Sequence, residues 1–254
     1  IVMTSTPRLM GEFELVDTHA YWQHPRWPGR PWDPENWIVE PRSMVDAPTE
    51  ATVRLLAWQR VKGRPHMVSE YNHPAPNPHA GEGPLMLAIW GGLQDWDALF
   101  LYTWAHGEDS LKAGRIPGYF DLGQHPTILA NLRPAALAFR RGDVAPGREV
   151  VTAAWSEPRE LEAIVNGGSA WNVVGWERSG LPLDAALQHR VALDLAATDL
   201  PNDPAVAPTN RSAWLADTGQ IEWRLLDSGR GRLVVRAPRF RAALGRIADS
   251  LVEL

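Results

Sequence analysis

Apolar residues in the first part of the chain fall into two recurring patterns. Short runs bounded by polar breaks read as buried strands: Ile1-Val2-Met3-Thr4-Ser5-Thr6, Leu15-Val16-Asp17-Thr18-His19, Pro65 to Glu70, and Asp97 to Trp104. Between them, apolar positions at helical spacing predict helices. One starts near Asp46, with Pro48 and Glu50 in its first turn, carries Val53, Leu56, Ala57 and Arg60 at helical spacing, and stops at Gly63. A second runs from about Glu82 to Gln94 with Leu85, Ala88, Ile89 and Gly92 on one face, and a third from about Pro126 to Arg140. The order β, β, α, β, α, β, α predicts an α/β fold with a parallel sheet and right-handed helical crossovers.

The pattern changes near Gly142, and Pro146-Gly147 reads as a linker. Beyond it lie strand-like runs at Glu149–Trp155, Val191–Leu195, Ile221–Leu225 and Arg232–Arg236. The last two are joined by Asp227-Ser228-Gly229-Arg230-Gly231, a hairpin signal. Helical turns are predicted at Leu161–Asn166 and Arg239–Ser250. The expected organisation is therefore a first unit over 1–144 and a small β-rich, sandwich-like unit over 145–254.

Composition narrows the class. Apolar residues make up 44% and charged residues 22%, as in an ordinary globular chain, and no apolar stretch is long enough to span a bilayer. With a formal net charge of -5 and no basic stripe, nucleic acid is not an expected partner, and neither is a membrane. Cys 0 removes disulfides, thiolate metal sites and cysteine nucleophiles together. Neither Gly-x-Gly-x-x-Gly nor a Gly-Lys-Ser/Thr phosphate loop is present. The compartment stays open, since any leader would lie upstream of Ile1.

The count of 13 tryptophans is high, and four of them, Trp22, Trp27, Trp32 and Trp37, lie in a Pro-rich loop from about Trp22 to Asp46. Such residues either anchor a long loop or form flat apolar platforms, and indole stacks well on the apolar faces of sugar rings. Glu70 is the leading chemical candidate. It closes a buried strand, and Tyr71-Asn72-His73-Pro74 then breaks the pattern. Parallel α/β folds place reactive groups at such carboxyl ends.

Three strand ends carry a family resemblance: Asp17-Thr18-His19-Ala20-Tyr21-Trp22, Val68-Ser69-Glu70-Tyr71-Asn72 and Leu101-Tyr102-Thr103-Trp104. Together they resemble the sixth, seventh and eighth strands of the (β/α)8 glycoside hydrolases of clan A, the cellulase-like group. That resemblance implies the carboxyl-terminal half of a TIM barrel, strands five to eight, with Glu70 as the nucleophile of a retaining mechanism. It further implies that Tyr21 and His19 orient Glu70, that Trp104 forms the floor under the sugar, and that Asn72 and His73 contact substrate beside the platforms Trp22 and Trp32. No metal or organic cofactor is implied, and the expected partner is an oligo- or polysaccharide. The run Asp217–Trp223 looks like the accessory β-domain of some members. A complete barrel takes about 250 residues, whereas only about 140 precede the linker. The family's proton donor follows an Asn, and no Asn-Glu pair occurs in this sequence. The chain is accordingly expected to be a fragment of a longer enzyme, with Glu108 and Asp109 as weak substitutes for the missing acid.

Two other function classes fit the residues. His19, His24, His73, His79, His106 and His125 lie near strand ends or loops, and three of them could hold zinc if they converged. A non-catalytic module that binds carbohydrate on its tryptophans needs no acid at all.

Overall fold

The computed structural model describes residues 6–33, 35–167, 173–196 and 212–248. Chain order begins with a short helix α1 (Pro7–Gly11), strand β1 (Val16–Tyr21), helix α2 (Thr52–Trp58), strand β2 (His66–Asn72) and helix α3 (Glu82–Leu93). Strand β3 (Ala98–Leu99), helix α4 (Glu108–Lys112) and helix α5 (Pro126–Arg140) complete the first part. The rest comprises β4 (Val150–Ala154), α6 (Glu157–Gly167), β5 (Arg190–Asp194), β6 (Ala213–Leu215), β7 (Ile221–Leu225), β8 (Gly231–Arg236) and β9 (Arg241–Gly245). Among the described residues no helix is long and apolar enough to cross a membrane.

The chain is a mixed α/β protein. Strands β1, β2 and β3 form a parallel sheet in that order, and α3 lies against β2 and β3 while packing along α5. The α3–α5 packing is close because α3 carries Gly91 there: a Cβ at that position would lie 2.8 Å from Leu99 Cδ1 and 3.0 Å from a Phe139 ring carbon. Helix α5 begins with Pro126 at its first turn, and the left-handed Gly142 (φ +60°) follows its end, the residues that suit those two termini.

Several expected elements differ. Strand β2 runs through Tyr71 and Asn72 rather than stopping at Glu70, because Tyr71 is fully buried and the ladder to β1 continues to the pair Tyr21–Asn72. The run Asp97–Trp104 forms a ladder only at Ala98–Leu99. Past Tyr102 the backbone turns to bond Phe120 and Leu122 instead. The expected strand at residues 1–6 lies outside the described residues except for Thr6, and the short helix that follows it has no periodic signature. The segments Glu149–Trp155 and Val191–Leu195 do not join an antiparallel sheet: β4 and β5 pair in parallel with α6 between them. A parallel bridge of Val61 to Leu193 carries this pair onto the first part of the chain. Residues 241–245, expected as a helical turn, form β9, since pairing with β8 outweighs the helix preference of its alanines and leucine.

Among the described residues only the last four strands are antiparallel, in the order β6-β7-β8-β9, and the hairpin read from Asp227–Gly231 joins β7 to β8. This sheet docks on the end of the long loop. Trp223 donates its indole N–H to the Val45 carbonyl at 2.8 Å, and Gly231 comes so near that carbonyl that a Cβ would lie 1.7 Å from its oxygen. One continuous apolar cluster runs from Trp22 through Trp58, Trp90, Trp155 and Trp176 to Trp214, Trp223 and Leu244, crossing position 144 without interruption. Most of the indoles in it are sealed from solvent, so much of the tryptophan content serves packing.

Asp217 fastens the linker to the turn between β6 and β7. It accepts the main-chain N–H groups of Arg148 and Glu149, each at 2.9 Å, and faces His189 Nδ1 at 3.0 Å. Burial pushes its carboxyl up, but those N–H donors and His189 outweigh burial and hold it below its ordinary 3.8. Asp217→Ala is expected to cost about 2 kcal/mol near neutral pH in urea unfolding. Because the folded value is lowered, the difference from wild type should shrink as pH falls below 3.8. A deficit that persists unchanged in acid would show that the carboxylate is not its source.

Candidate active site

The site lies at the carboxyl ends of β1 and β2, and its geometry comes from a break in their register. Residues pair one to one from Val16–His66 to Thr18–Val68, and then His19 pairs with Glu70. Ser69 is therefore an extra residue on β2, a bulge in a parallel pair, where bulges are uncommon. Without it Ser69 would stand opposite His19, and Glu70 would be one step further on, opposite Ala20.

Asp17 holds the bulge. Its side chain is only 4% exposed. It accepts the Ser69 main-chain N–H at 3.1 Å and the Ser69 hydroxyl at 2.7 Å. Burial pushes the Asp17 carboxyl up, and the neighbouring His19 ring and the two Ser69 donors more than offset that, leaving it below its usual range. His19 Nε2 stands 2.6 Å from Ser69 Oγ and 3.4 Å from Asp17 Oδ2. On the other side of the ring, Nδ1 lies 3.3 Å from Glu70 Oε2 without the angle of a hydrogen bond. The Tyr21 hydroxyl donates to the same Oε2. Burial, then the hydrogen bond and charge of Glu70, push the Tyr21 phenol far up, so it remains a donor. Glu70 is 31% exposed, and its Oε1 has no hydrogen bond among the described residues. The arrangement is thus a carboxylate fixed through one oxygen with the other open to solvent.

An aromatic wall extends from this cluster. Tyr21 packs on Phe120 with centroids 4.6 Å apart, on His24 at 5.3 Å and on Tyr102 at 6.4 Å. His24 leads to Trp27 and Trp32, which lie 4.4 Å from each other, and Tyr119 links Trp27 to Trp37. Trp32 is half exposed and has a left-handed backbone (φ +60°). Trp104 is 54% exposed and lies beside Gly123, where its main chain bonds the Gly123 N–H, but it does not enter the hydrogen-bonded set around Glu70.

Three residues expected to contact a ligand are buried in the fold. Trp22 is 3% exposed and gives its indole N–H to the Arg42 carbonyl at 2.8 Å, so it anchors the loop and offers no platform. Asn72 is buried and donates to the carbonyls of Tyr102, at 2.5 Å, and Phe120, at 2.9 Å. It ties β2 to the wall. His73 is buried against Tyr71, with 2.8 Å between Nε2 and the phenol oxygen, because β2 carries the chain inward beyond Glu70. Glu108 and Asp109 begin α4, and both are exposed.

One pair and two partners have no local sequence signal. His106 is one histidine among several in loops, yet its Nδ1 lies 2.9 Å from the buried Asp121, which also accepts the His106 main-chain N–H at 2.8 Å. The ring meets Tyr102 edge-on at 5.8 Å and is 47% exposed. Asp17 and Ser69 were also missed, since no local pattern announces a bulge. Among the described residues no three His, Asp or Glu side chains gather as a ligand set for a metal ion. An apolar recess between α3, α5 and β3, lined by Leu87, Leu99, Leu101, Leu132, Ala136 and Phe139, offers no carboxylate, imidazole or hydroxyl.

Searches of family models, curated proteins and solved structures find no match to this chain.

Burial drives His73 and His66 down to about 3 each, so both remain neutral in the fold well below the 6.5 of a free imidazole. Between those values the unfolded chain binds protons that the folded chain refuses, so stability falls with acid across that window. His73→Phe should reduce the slope of stability against pH between about 6 and 4 by up to about 1.4 kcal/mol per pH unit. An unchanged slope would mean that His73 is open to protons and to solvent.

Proposed function

We propose that this chain carries the nucleophile side of a retaining O-glycosidase, with Glu70 as the attacking carboxylate. The observation that carries the reading is the convergence of Tyr21 and His19 on one oxygen of a partly exposed Glu70 at the ends of adjacent parallel strands. A glycosidic nucleophile must be ionised, aimed and reachable. Tyr21 supplies a fixed donor, and Oε1 is the oxygen left to attack an anomeric carbon. In this reading β1, β2 and β3 take the places of the sixth to eighth strands of a (β/α)8 barrel, and the terminal antiparallel sheet takes an accessory role. The chemistry calls for no metal or organic cofactor.

Retaining hydrolysis also needs a second carboxyl group about 5–5.5 Å from the first. Asp17 is too enclosed and too fully engaged for that task, and Glu108 and Asp109 do not touch the cluster. None of these three is assigned as the proton donor. The substrate in this reading is an oligo- or polysaccharide held on the aromatic segment of Trp27, Trp32, Trp37 and Tyr119, where an indole face can stack on the apolar face of a sugar. The same wall favours a second reading, a module that binds carbohydrate without cleaving it.

An aryl 2-deoxy-2-fluoro glycoside with a very good leaving group needs little protonation and should attach covalently to Glu70 of the intact protein, while Glu70→Gln should bind oligosaccharide and take up no label. Mass spectrometry of the digested protein reads the attachment point. Label on another carboxylate would reject Glu70, and sugar binding with no turnover and no effect of Glu70→Gln would establish the binding module. Activity lost to a chelator and restored by zinc would transfer the role to the histidines.

His106, aimed by Asp121, is assigned to a sugar hydroxyl beside Tyr102. His106→Ala should raise the dissociation constant of a bound oligosaccharide about 10-fold, which is about 1.4 kcal/mol, and leave the labelling rate at saturating reagent unchanged. Calorimetry showing equal affinity would place His106 outside the binding face.

A further inference from the structure

We infer that Asp17 is the positioning residue of this site: by holding the bulged Ser69 it dictates which ring nitrogen of His19 carries a proton and where Glu70 stands. The inference deepens the glycosidase reading and rests on it for its consequence in chemistry, but its structural content stands apart from it.

The direction of the hydrogen bonds follows from counting protons. An ionised carboxylate only accepts, so the Ser69 hydroxyl at 2.7 Å from Asp17 Oδ2 spends its single hydrogen there. Ser69 Oγ can then only accept from His19 Nε2 at 2.6 Å. His19 therefore holds a proton on Nε2, and Nδ1 is the ring atom turned to Glu70. Asp17 thus acts at two removes. Through the Ser69 main-chain N–H it keeps the extra residue that brings Glu70 opposite His19, and through the hydroxyl it orients the imidazole that flanks Glu70. Tyr21 is the remaining support of the carboxylate and comes from the same strand as Asp17 and His19, at alternate positions of β1.

The physical cost of this arrangement argues for a purpose beyond stability. A carboxylate this enclosed gives up its hydration, and the hydrogen bonds to it go largely to offset that loss. Packing a strand pair needs no such residue. What an enclosed acceptor supplies, and an apolar side chain cannot, is a fixed direction for the Ser69 hydroxyl.

The test uses the intact protein and two variants. Asp17→Asn keeps the shape and one acceptor for the Ser69 N–H but presents an amide donor to the hydroxyl. Ser69→Ala keeps the main-chain bond and removes only the hydroxyl, so it remains informative if Asp17→Asn fails to fold. Long-range proton–nitrogen spectra of the His19 ring should show a proton on Nε2 in the wild type and a changed nitrogen pattern in both variants. The rate at which the activated fluoro-glycoside labels Glu70 should fall about 10- to 100-fold in each, at unchanged oligosaccharide affinity, as expected for a misplaced reacting group. The double variant should be no slower than the slower single one, since the two residues act as one unit. A His19 spectrum identical in wild type and Ser69→Ala would overturn the inference. If the spectra respond but the wild type takes no label, the positioning stands and the glycosidase reading falls.

Discussion

A buried carboxylate gripping a single extra residue determines the shape of everything around it. Strands β1 and β2 would otherwise pair in simple register, and Glu70 would project one place away from His19. The Asp17–Ser69 contact absorbs the extra residue, and two strand ends then present a carboxylate, an imidazole and a phenol to the same point. Parallel pairing makes the convergence possible, because both strands deliver their carboxyl ends to the same side of the sheet.

The surrounding fold serves to keep that edge still. Asn72, one turn of the pleat beyond Glu70, clamps β2 to the carbonyls of Tyr102 and Phe120, and Phe120 in turn packs on Tyr21. Glu82 at the start of α3 accepts from Ser43 and from the Met44 and Val45 main chain, which fixes the far end of the aromatic loop. Trp22 fixes its near end from within the core. The long loop is thus held at both ends while Trp27, Trp32 and Trp37 are left along its length at the surface or half-buried.

Apolar runs with clear stops were legible: β1, α3, α5 and the hairpin of β7 and β8 lie close to where the sequence pattern puts them, although α3 is buried nearly all round rather than on one face. Elements made by tertiary pairing were not. Residues 241–245 read as helix because alanine and leucine favour it, yet β8 offers them a ladder. The segments at 150–154 and 190–194 read only as strands, and nothing in either says that they run parallel with a helix between. At the site, His19, Tyr21 and Glu70 were legible as polar groups at strand ends. The environment of the neighbours was not: whether Asn72 and His73 face solvent depends on how far β2 continues, and that is set by Tyr71 entering a core formed largely by residues distant in sequence. Asp17 and Ser69 escaped notice because a register shift is a property of two strands together.

The most direct measurement is a crystal structure of the intact protein after reaction with the activated fluoro-glycoside. The expected result is a sugar bonded through its anomeric carbon to Glu70 Oε1, with Tyr21 still on Oε2 and Ser69 still held by Asp17. A sugar resting only on the indoles of Trp27, Trp32 and Trp37, with the Glu70 carboxylate unbonded, would contradict it.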